Sequence, residues 1–514
     1  MGASQSVPGA PLEADQEVKI YRQLMNEHAQ LRANNVEPEQ AYERIVQRHS
    51  ELTKLYSQKI FQCPKVRFGR TELQMPILTL GGMRQQLTWS PKADLTLEGV
   101  DKDNQANFEK VVQRAMELGI NHFETARGYG SSELQYGPIL KTFPRASFIL
   151  QTKVPPMEDS AKFRSTLETS FTQLQLDHGS EDEFVDLFSF HGVNLPKHVE
   201  WITRPGGNME VVKEYQQKGL IRHVGFTSHG MTPCIVAAIE TGVFDYVNLH
   251  YHFIGSYTST GTGAMGGNVE AVLAAQKQDM GVFCISPTDK GGALYEPSTG
   301  MYKACLPLTP IAFNNLWLWN SPAPVHTLVI GAARPSDFDE HLEAAMMYPQ
   351  RAELVAPVEA KLNQMVADVF GADFKDSWFK GLPDAYSNPE GLPLPHLYWL
   401  YWLIKAWGMY SYALKRYTPL EGGLKGWDDT ASFEQNTKGF SWVPGVGYRP
   451  EREAQLRDIL KDHPKCEEVV AAIKQLHAWL TAGGCLKRGE TGEVDWAMAY
   501  DLQPSLPFCE RVAR

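Results

Sequence analysis

The 514-residue chain is poor in cysteine, with seven, at positions 63, 234, 284, 305, 466, 485 and 509. They are scattered, odd in number and form no C-x-x-C pair. That excludes a disulfide framework and a zinc site, and it points to a reducing compartment. A basic stripe is also missing, and the net charge is −11, which argues against non-specific binding of nucleic acid. No apolar run reaches the length of a membrane span, and no secretory signal is read, so a cytoplasmic location is expected. No G-x-G-x-x-G follows any expected strand, which counts against an open doubly wound sheet of the dinucleotide-binding type.

What is present is ordinary for a globular protein: 43% hydrophobic and 21% charged residues. At this length one core is not enough, so a catalytic domain with appendages is expected. The first six residues, Met-Gly-Ala-Ser-Gln-Ser, fit the pattern for N-myristoylation at Gly2. No Lys or Arg precedes Lys19 and no Cys precedes Cys63, so a second anchor is missing. A single acyl chain would hold the protein at a membrane weakly and reversibly at most. Residues 12–33 and 37–58 read as a helical hairpin broken at Asn34-Asn35, with apolar Ile20, Leu24, Leu31, Ala41, Ile45, Leu52 and Leu55 at helical spacing. It is expected to dock on the following domain, with a protein partner as the alternative.

An alternation then sets in. Strands are expected over 76–82, 121–124, 147–154, 184–191, 222–228, 245–251, 281–287 and 325–331. Helices are expected over 105–118, 132–143, 160–176, 206–217, 232–241, 268–278 and 336–347, with 295–324 read as a long irregular stretch. Eight short strands, apolar on both faces and each followed by a crossover within about 275 residues, predict an α/β fold, a (β/α)8 TIM barrel. The expected domains are an N-terminal extension over 1–65, the barrel over 66–348 and a mostly helical extension over 349–514. In that extension, helices are expected over 351–370, 396–417, 450–461 and 466–482, around a Pro/Gly-rich linker at 381–395.

Four residues carry the chemistry. Glu124 closes the second strand, and Tyr129 stands in the glycine-bracketed loop Ala-Arg-Gly-Tyr-Gly-Ser-Ser-Glu, where Ser131 or Ser132 is the expected N-cap of the next helix. Lys153 closes the third strand in Leu-Gln-Thr-Lys-Val, and His191 the fourth in Phe-Ser-Phe-His-Gly. Active sites of parallel barrels lie at these strand ends. A tyrosine with a free pKa of roughly 10 needs a nearby cation to give up its proton near neutrality, and a buried lysine needs a carboxylate to stay charged. Each residue alone is weak evidence; the order Glu, Tyr, Lys, His over three consecutive strands is not.

This constellation resembles the aldo-keto reductase tetrad position by position. The resemblance implies NAD(P)H-dependent reduction of an aldehyde or ketone, with Tyr129 as general acid, Lys153 its modulator, Glu124 the partner of Lys153 and His191 the oxyanion orienter. It also implies a dinucleotide held by the loops after the later strands. Thr227 and Ser228 in Gly-Phe-Thr-Ser-His, with Asn248 in Val-Asn-Leu-His, are similar to the family's carboxamide-binding residues. Ile285-Ser286-Pro287 is similar to the segment behind the nicotinamide. Gly331, Arg334, Asp337 and Glu340 are similar to the adenosine-phosphate loop.

The family's acid is usually Asp, and Glu124 is one methylene longer. Asp337 would repel a 2′-phosphate, so the expected preference for NADPH over NADH rests on Arg334. Residues 377–417 resemble the tail of the iron–sulfur branch of the family. No Cys lies between Cys305 and Cys466, so no iron–sulfur cluster and no metal site are expected. The insertions at 192–205 and 257–267, with 295–324, are expected to overhang the site and set specificity. The rival reading is a catalytically weak barrel that senses cofactor or acts as a scaffold, similar to the potassium-channel β subunits, with partners at the hairpin or the C-terminal extension.

Overall fold

The structure is a computed structural model, and it describes residues 14–56, 60–85, 95–176, 181–251, 253–254, 268–288, 294, 297–438, 440 and 443–481. The acylation motif at Gly2, the insertion at 257–267 and the tail beyond Thr481 lie outside the described residues.

Eight parallel strands close into a barrel. In chain order they follow an antiparallel pair, β1 (Lys65–Arg67) and β2 (Gln74–Pro76), and are β3 (Leu78–Gly81), β4 (His122–Glu124), β5 (Ile149–Val154), β6 (Val185–Phe190), β7 (Ile221–Thr227), β8 (Tyr246–Leu249), β9 (Gly281–Ile285) and β10 (Thr327–Ile330), with β10 pairing back onto β3. β3, β4, β5, β6, β8 and β10 are buried at every position, because helices cover the outer face while side chains fill the inside. Several crossover helices carry their apolar residues on one stripe, whereas Ser132–Leu140 and Asp339–Met346 are buried at nearly every position. Helix Lys102–Glu117 buries Phe108, Val111, Val112 and Ala115, and Asp101 caps it by accepting Asn104 N–H at 2.8 Å.

The β1–β2 hairpin was not legible as strands, being three residues long on each side. It closes the N-terminal end of the barrel with Phe68, which is fully buried against Phe283 at 4.6 Å and Tyr246 at 5.9 Å between ring centroids. Gly281 makes this possible: a Cβ there would strike the Phe68 ring.

Strand alternation then sorts the interior by depth. On β5 the inward residues are Ile149, Gln151 and Lys153, and on β6 Leu187 and Ser189. Ile149, Leu187, Tyr246, Phe283 and Val329 form an inner apolar layer. Above it lies a polar layer, in which Gln151 Nε2 donates to Ser189 Oγ at 3.0 Å and Ser189 Oγ to Tyr246 Oη at 2.9 Å. The charged pair Lys153–Glu124 comes last, at the C-terminal mouth.

Two readings are corrected. The stretch 295–324, described from 297 on, is not irregular: it holds helices Thr299–Cys305 and Pro310–Asn320. The second escaped a periodicity reading because it is buried all round, so it has no polar face to reveal the turn. Two of its asparagines find partners inside: Asn314 Nδ2 donates to Pro287 O at 2.8 Å, and Asn315 Nδ2 bonds His341 Nδ1 at 2.8 Å, while Asn315 Oδ1 is buried without a partner among the described residues. The expected helix 396–417 is two helices, Leu394–Trp407 and Tyr410–Lys425, parted where Gly408 turns left-handed at φ 68°.

Both appendages join the core. The N-terminal hairpin, Ala14–Ala33 and Pro38–Leu55, buries Tyr21, Leu24, Met25, Ala41, Ile45 and Leu52, while Leu55 is exposed. One cluster of buried apolar side chains runs from Tyr21 through the barrel to Leu480. Among the described residues, no helix is long and apolar enough to cross a membrane.

Candidate active site

The tetrad assembles at the barrel mouth. Parallel pairing sets Glu124 against Gln151 and Lys153 against Ser189, so the β4 acid and the β5 lysine reach toward each other across adjacent strands. Lys153 Nζ donates to Glu124 Oε1 and to the Thr125 carbonyl, the latter at 2.7 Å. Both side chains are almost wholly buried.

The loop between β4 and helix Ser132–Leu140 is pinned by backbone bonds, Arg127 N to Lys153 O at 2.9 Å and Ser132 N to Tyr129 O at 2.9 Å. Gly82, just after β3, lets that helix come close, since a Cβ there would strike the Ser132 hydroxyl and lie 2.8 Å from the Tyr136 ring. Ser131 precedes the helix, but its hydroxyl donates to Gln135 Oε1 at 2.7 Å and does not cap the backbone. Glu133 in the first turn is buried and held by Arg127 Nη1 at 2.7 Å and Thr152 Oγ1 at 2.5 Å.

Pinned in this way, Tyr129 presents its ring face to Lys153, with Nζ 4.6 Å from the centroid. Its edge meets His191, centroid to centroid 5.4 Å with the rings nearly perpendicular at 88°. His191 is set by its own N–H donating to Val154 O at 2.9 Å. Burial pushes the Lys153 ammonium well below its ordinary value and pushes the Tyr129 phenol up. The phenol is therefore firmly protonated. This differs from the expectation that the lysine brings it down, because desolvation is the larger effect here.

The later strand ends divide. Ser228 and Asn248 are neighbours, Ser228 N donating to Asn248 O at 3.0 Å. The Ser228 hydroxyl is used locally: it donates to Val193 O at 2.7 Å and accepts Gly230 N–H at 2.9 Å. Thr227 Oγ1 accepts Gly192 N–H at 2.9 Å. Asn248 Oδ1 accepts from Gln151 Nε2 at 3.4 Å, which leaves Asn248 Nδ2 and Gln151 Oε1 buried with no protein partner. An orphaned amide donor beside an orphaned amide acceptor suits a carboxamide, which offers both, so this part of the site fits the nicotinamide end of a dinucleotide in kind. Ile285 ends β9, Ser286 takes a left-handed φ of 51°, and Pro287 is buried with its carbonyl held by Asn314.

At the end of β10, Gly331 faces Arg84, whose Cγ would lie 2.7 Å from a Cβ at that position. Asp337 does not point freely outward. Its Oδ2 accepts the N–H of Ala333 at 2.9 Å and of Arg334 at 3.1 Å, and its Oδ1 meets Arg334 Nη2 at 3.2 Å. Arg334 is 75% exposed, so its guanidinium remains open to a ligand. Glu340 turns inward, where it accepts the Thr309 hydroxyl, and so lies apart from the exposed loop.

Gln151, Ser189 and the Thr125 carbonyl belong to the site although they were not singled out. Counting back two residues from Lys153 and from His191 marks the first two as inward-facing. A carbonyl leaves no signal in the side-chain pattern. Among the described residues, no group of three or more His, Cys, Asp or Glu is placed to hold a metal ion.

Residues 78–301 match the sequence model described as the aldo/keto reductase family. The match ends before β10. Among solved structures the chain is similar to aldo-keto reductase AKR11C1 from Bacillus halodurans, at 20% identity over 58% of this chain and 96% of that one, TM-score 0.43. It is similar to a thermostable aldo-keto reductase solved with the inhibitor epalrestat, at 19% identity over 58% and 99%, TM-score 0.44. An aldo/keto reductase from Brucella melitensis is similar at 17% identity over 57% and 99%, TM-score 0.40. No curated protein matches the chain.

Proposed function

We propose that the chain is an oxidoreductase that reduces the carbonyl of an aldehyde or ketone, using NADPH, with NADH as the weaker donor. The observation that carries this reading is the buried Lys153, held by Glu124 and set 4.6 Å from the ring of Tyr129, which meets His191 edge to face at the strand-end mouth. When bound, the nicotinamide supplies hydride to the carbonyl carbon. The protein's part is to place the carbonyl oxygen and to give it a proton.

Tyr129 gives that proton. A phenol raised by burial holds its proton in the resting site, yet an alkoxide is a stronger base than a phenolate, so transfer to the reduced oxygen runs downhill. The phenolate left behind in a dry site needs compensation, and Lys153 supplies it. His191, edge-on to Tyr129, orients the carbonyl oxygen, and Glu124 fixes Lys153 through its Oε1 contact.

Asn248 and Gln151 would take the carboxamide, Ser286 and Pro287 the middle of the dinucleotide, and Arg334 its 2′-phosphate. Ser228 and Thr227 act as props for that pocket, since their hydroxyls are committed to the backbone. A planar guanidinium with donors free beyond Asp337 suits a phosphate, which favours NADPH.

The test is turnover. Purified protein is expected to oxidise NADPH with a reactive aldehyde or a quinone, and Tyr129→Phe to lower the rate on the order of 10²–10⁴-fold, because packing stays and the proton donor goes. An unchanged rate in that variant would put the acid elsewhere.

A further inference from the structure

The reaction above leaves the N-terminal hairpin without a task, although the hairpin is bonded to the cofactor side of the barrel. Tyr42 Oη donates to the Pro335 carbonyl at 3.1 Å and lies 3.4 Å from Asp339 Oδ1. Tyr21 Oη donates to the Asp339 carbonyl at 3.0 Å, and Arg22 Nε meets Glu343 Oε1 at 2.7 Å. Pro335 follows Arg334 directly and opens the short turn Pro335–Phe338, in which Asp337 takes the Ala333 and Arg334 N–H groups. One peptide therefore separates the hairpin from the loop that carries Gly331, Arg334 and Asp337.

That loop is held from its other side as well. Asn107 Nδ2 donates to Ala333 O at 2.8 Å, and Gln85 Nε2 donates to Ala332 O. Asp337 ties the loop to itself through Ala333 and Arg334, and these outside contacts fix it to the rest of the barrel. Tyr42 is the contact that the appended hairpin provides.

We propose that Tyr42 is a positioning residue for the adenosine-phosphate loop, so that the hairpin completes the cofactor site from behind. The inference rests on the dinucleotide reading above. A loop already ordered by Tyr42, Asn107 and Gln85 binds without first losing its freedom, and removing one anchor returns that cost to the binding step. One lost neutral hydrogen bond corresponds to about a two- to tenfold weaker affinity. The loss falls on the adenosine half alone, because Asn248 and Gln151 lie on β8 and β5, away from the hairpin.

The experiment titrates the full chain with NADPH, with 2′-phospho-ADP-ribose and with reduced nicotinamide mononucleotide, following fluorescence or heat. Tyr42→Phe is expected to weaken the first two by the same factor and to leave the third unchanged. Tyr21→Phe, which loses a bond from the same hairpin to Asp339 but none to the loop, is expected to leave all three unchanged. Melting temperatures show that the variants are folded, and Tyr42→Ile carries the same comparison if the phenylalanine variant folds poorly. Wild-type protein that binds no dinucleotide overturns the proposed function and this inference with it. Wild-type protein that binds NADPH, with Tyr42→Phe binding equally well or losing affinity for both halves alike, overturns this inference alone.

Discussion

Lys153 shows how much the site asks of one side chain. It is 1% exposed, and burial drives its ammonium well below the ordinary lysine value. Two acceptors hold it in place, the Glu124 carboxylate and the Thr125 carbonyl. A carbonyl can orient an ammonium but cannot neutralise it, so the charge depends on Glu124. Glu124→Gln keeps the shape and removes the counter-charge. It is expected to cost about 3–5 kcal/mol of stability in urea unfolding, as breaking a buried pair does, and to depress turnover as Lys153 goes neutral. A cost under about 1 kcal/mol would mean that the lysine is already uncharged in the native protein. The extra methylene of Glu124, compared with the more common Asp, keeps this pairing: the carboxylate still reaches Nζ across the β4–β5 step.

At the scale of elements, the hairpin Ala14–Ala33/Pro38–Leu55 docks through a polar cluster as well as an apolar face. Asp339, at the start of the last barrel helix, sits among Tyr21, Tyr42 and Arg114. Burial pushes its carboxyl up to about 7, with Arg114 pulling the other way. In the unfolded chain the same group titrates near an ordinary value of roughly 3.9. Between those values the folded protein holds the proton and the unfolded chain does not, so stability is greatest at the acid end and is lost as pH rises through about 7. The melting temperature is expected to fall between about pH 4 and pH 7, and to fall less in Asp339→Asn, which has no proton to lose. Parallel curves for the two proteins would show that Asp339 is charged throughout.

On the scale of the whole molecule, the C-terminal extension behaves as part of the barrel's core. Trp407, at the end of helix Leu394–Trp407, stacks on Phe253 with centroids 5.7 Å apart, accepts Ser298 Oγ–H at its carbonyl, and donates from Nε1 to Leu362 O at 3.0 Å. Trp399 Nε1 donates to Ile254 O at 2.7 Å. Phe253 and Ile254 follow β8, so the extension grips a segment on the proposed cofactor side of the mouth. Barrel and extension are expected to melt in one calorimetric transition, and Trp407→Ala to destabilise both by about 3–5 kcal/mol. Two resolved transitions, only one of which moves in the variant, would make the extension an independent unit.

The barrel was legible from the sequence because each repeat states itself locally. Residues 149–154 are buried at every position and are followed by an amphipathic helix, and that pattern needs no knowledge of the neighbouring strand. The placing of Glu124, Lys153 and His191 at strand ends was legible for the same reason, since local patterning finds where strands close. Tertiary structure decided what depends on distant partners. Helix Pro310–Asn320 shows no period because it is buried on every side. Asp337 reads as a free charge in sequence, but folding ties it to Ala333 and Arg334. Glu340 reads as a ligand-loop residue, and folding turns it in to Thr309, 31 positions earlier. Tyr42 meets Pro335 across 293 positions. Periodicity reports which face of an element is buried, whereas the partner that meets it is set by closure of the barrel, a long-range event that no local window contains.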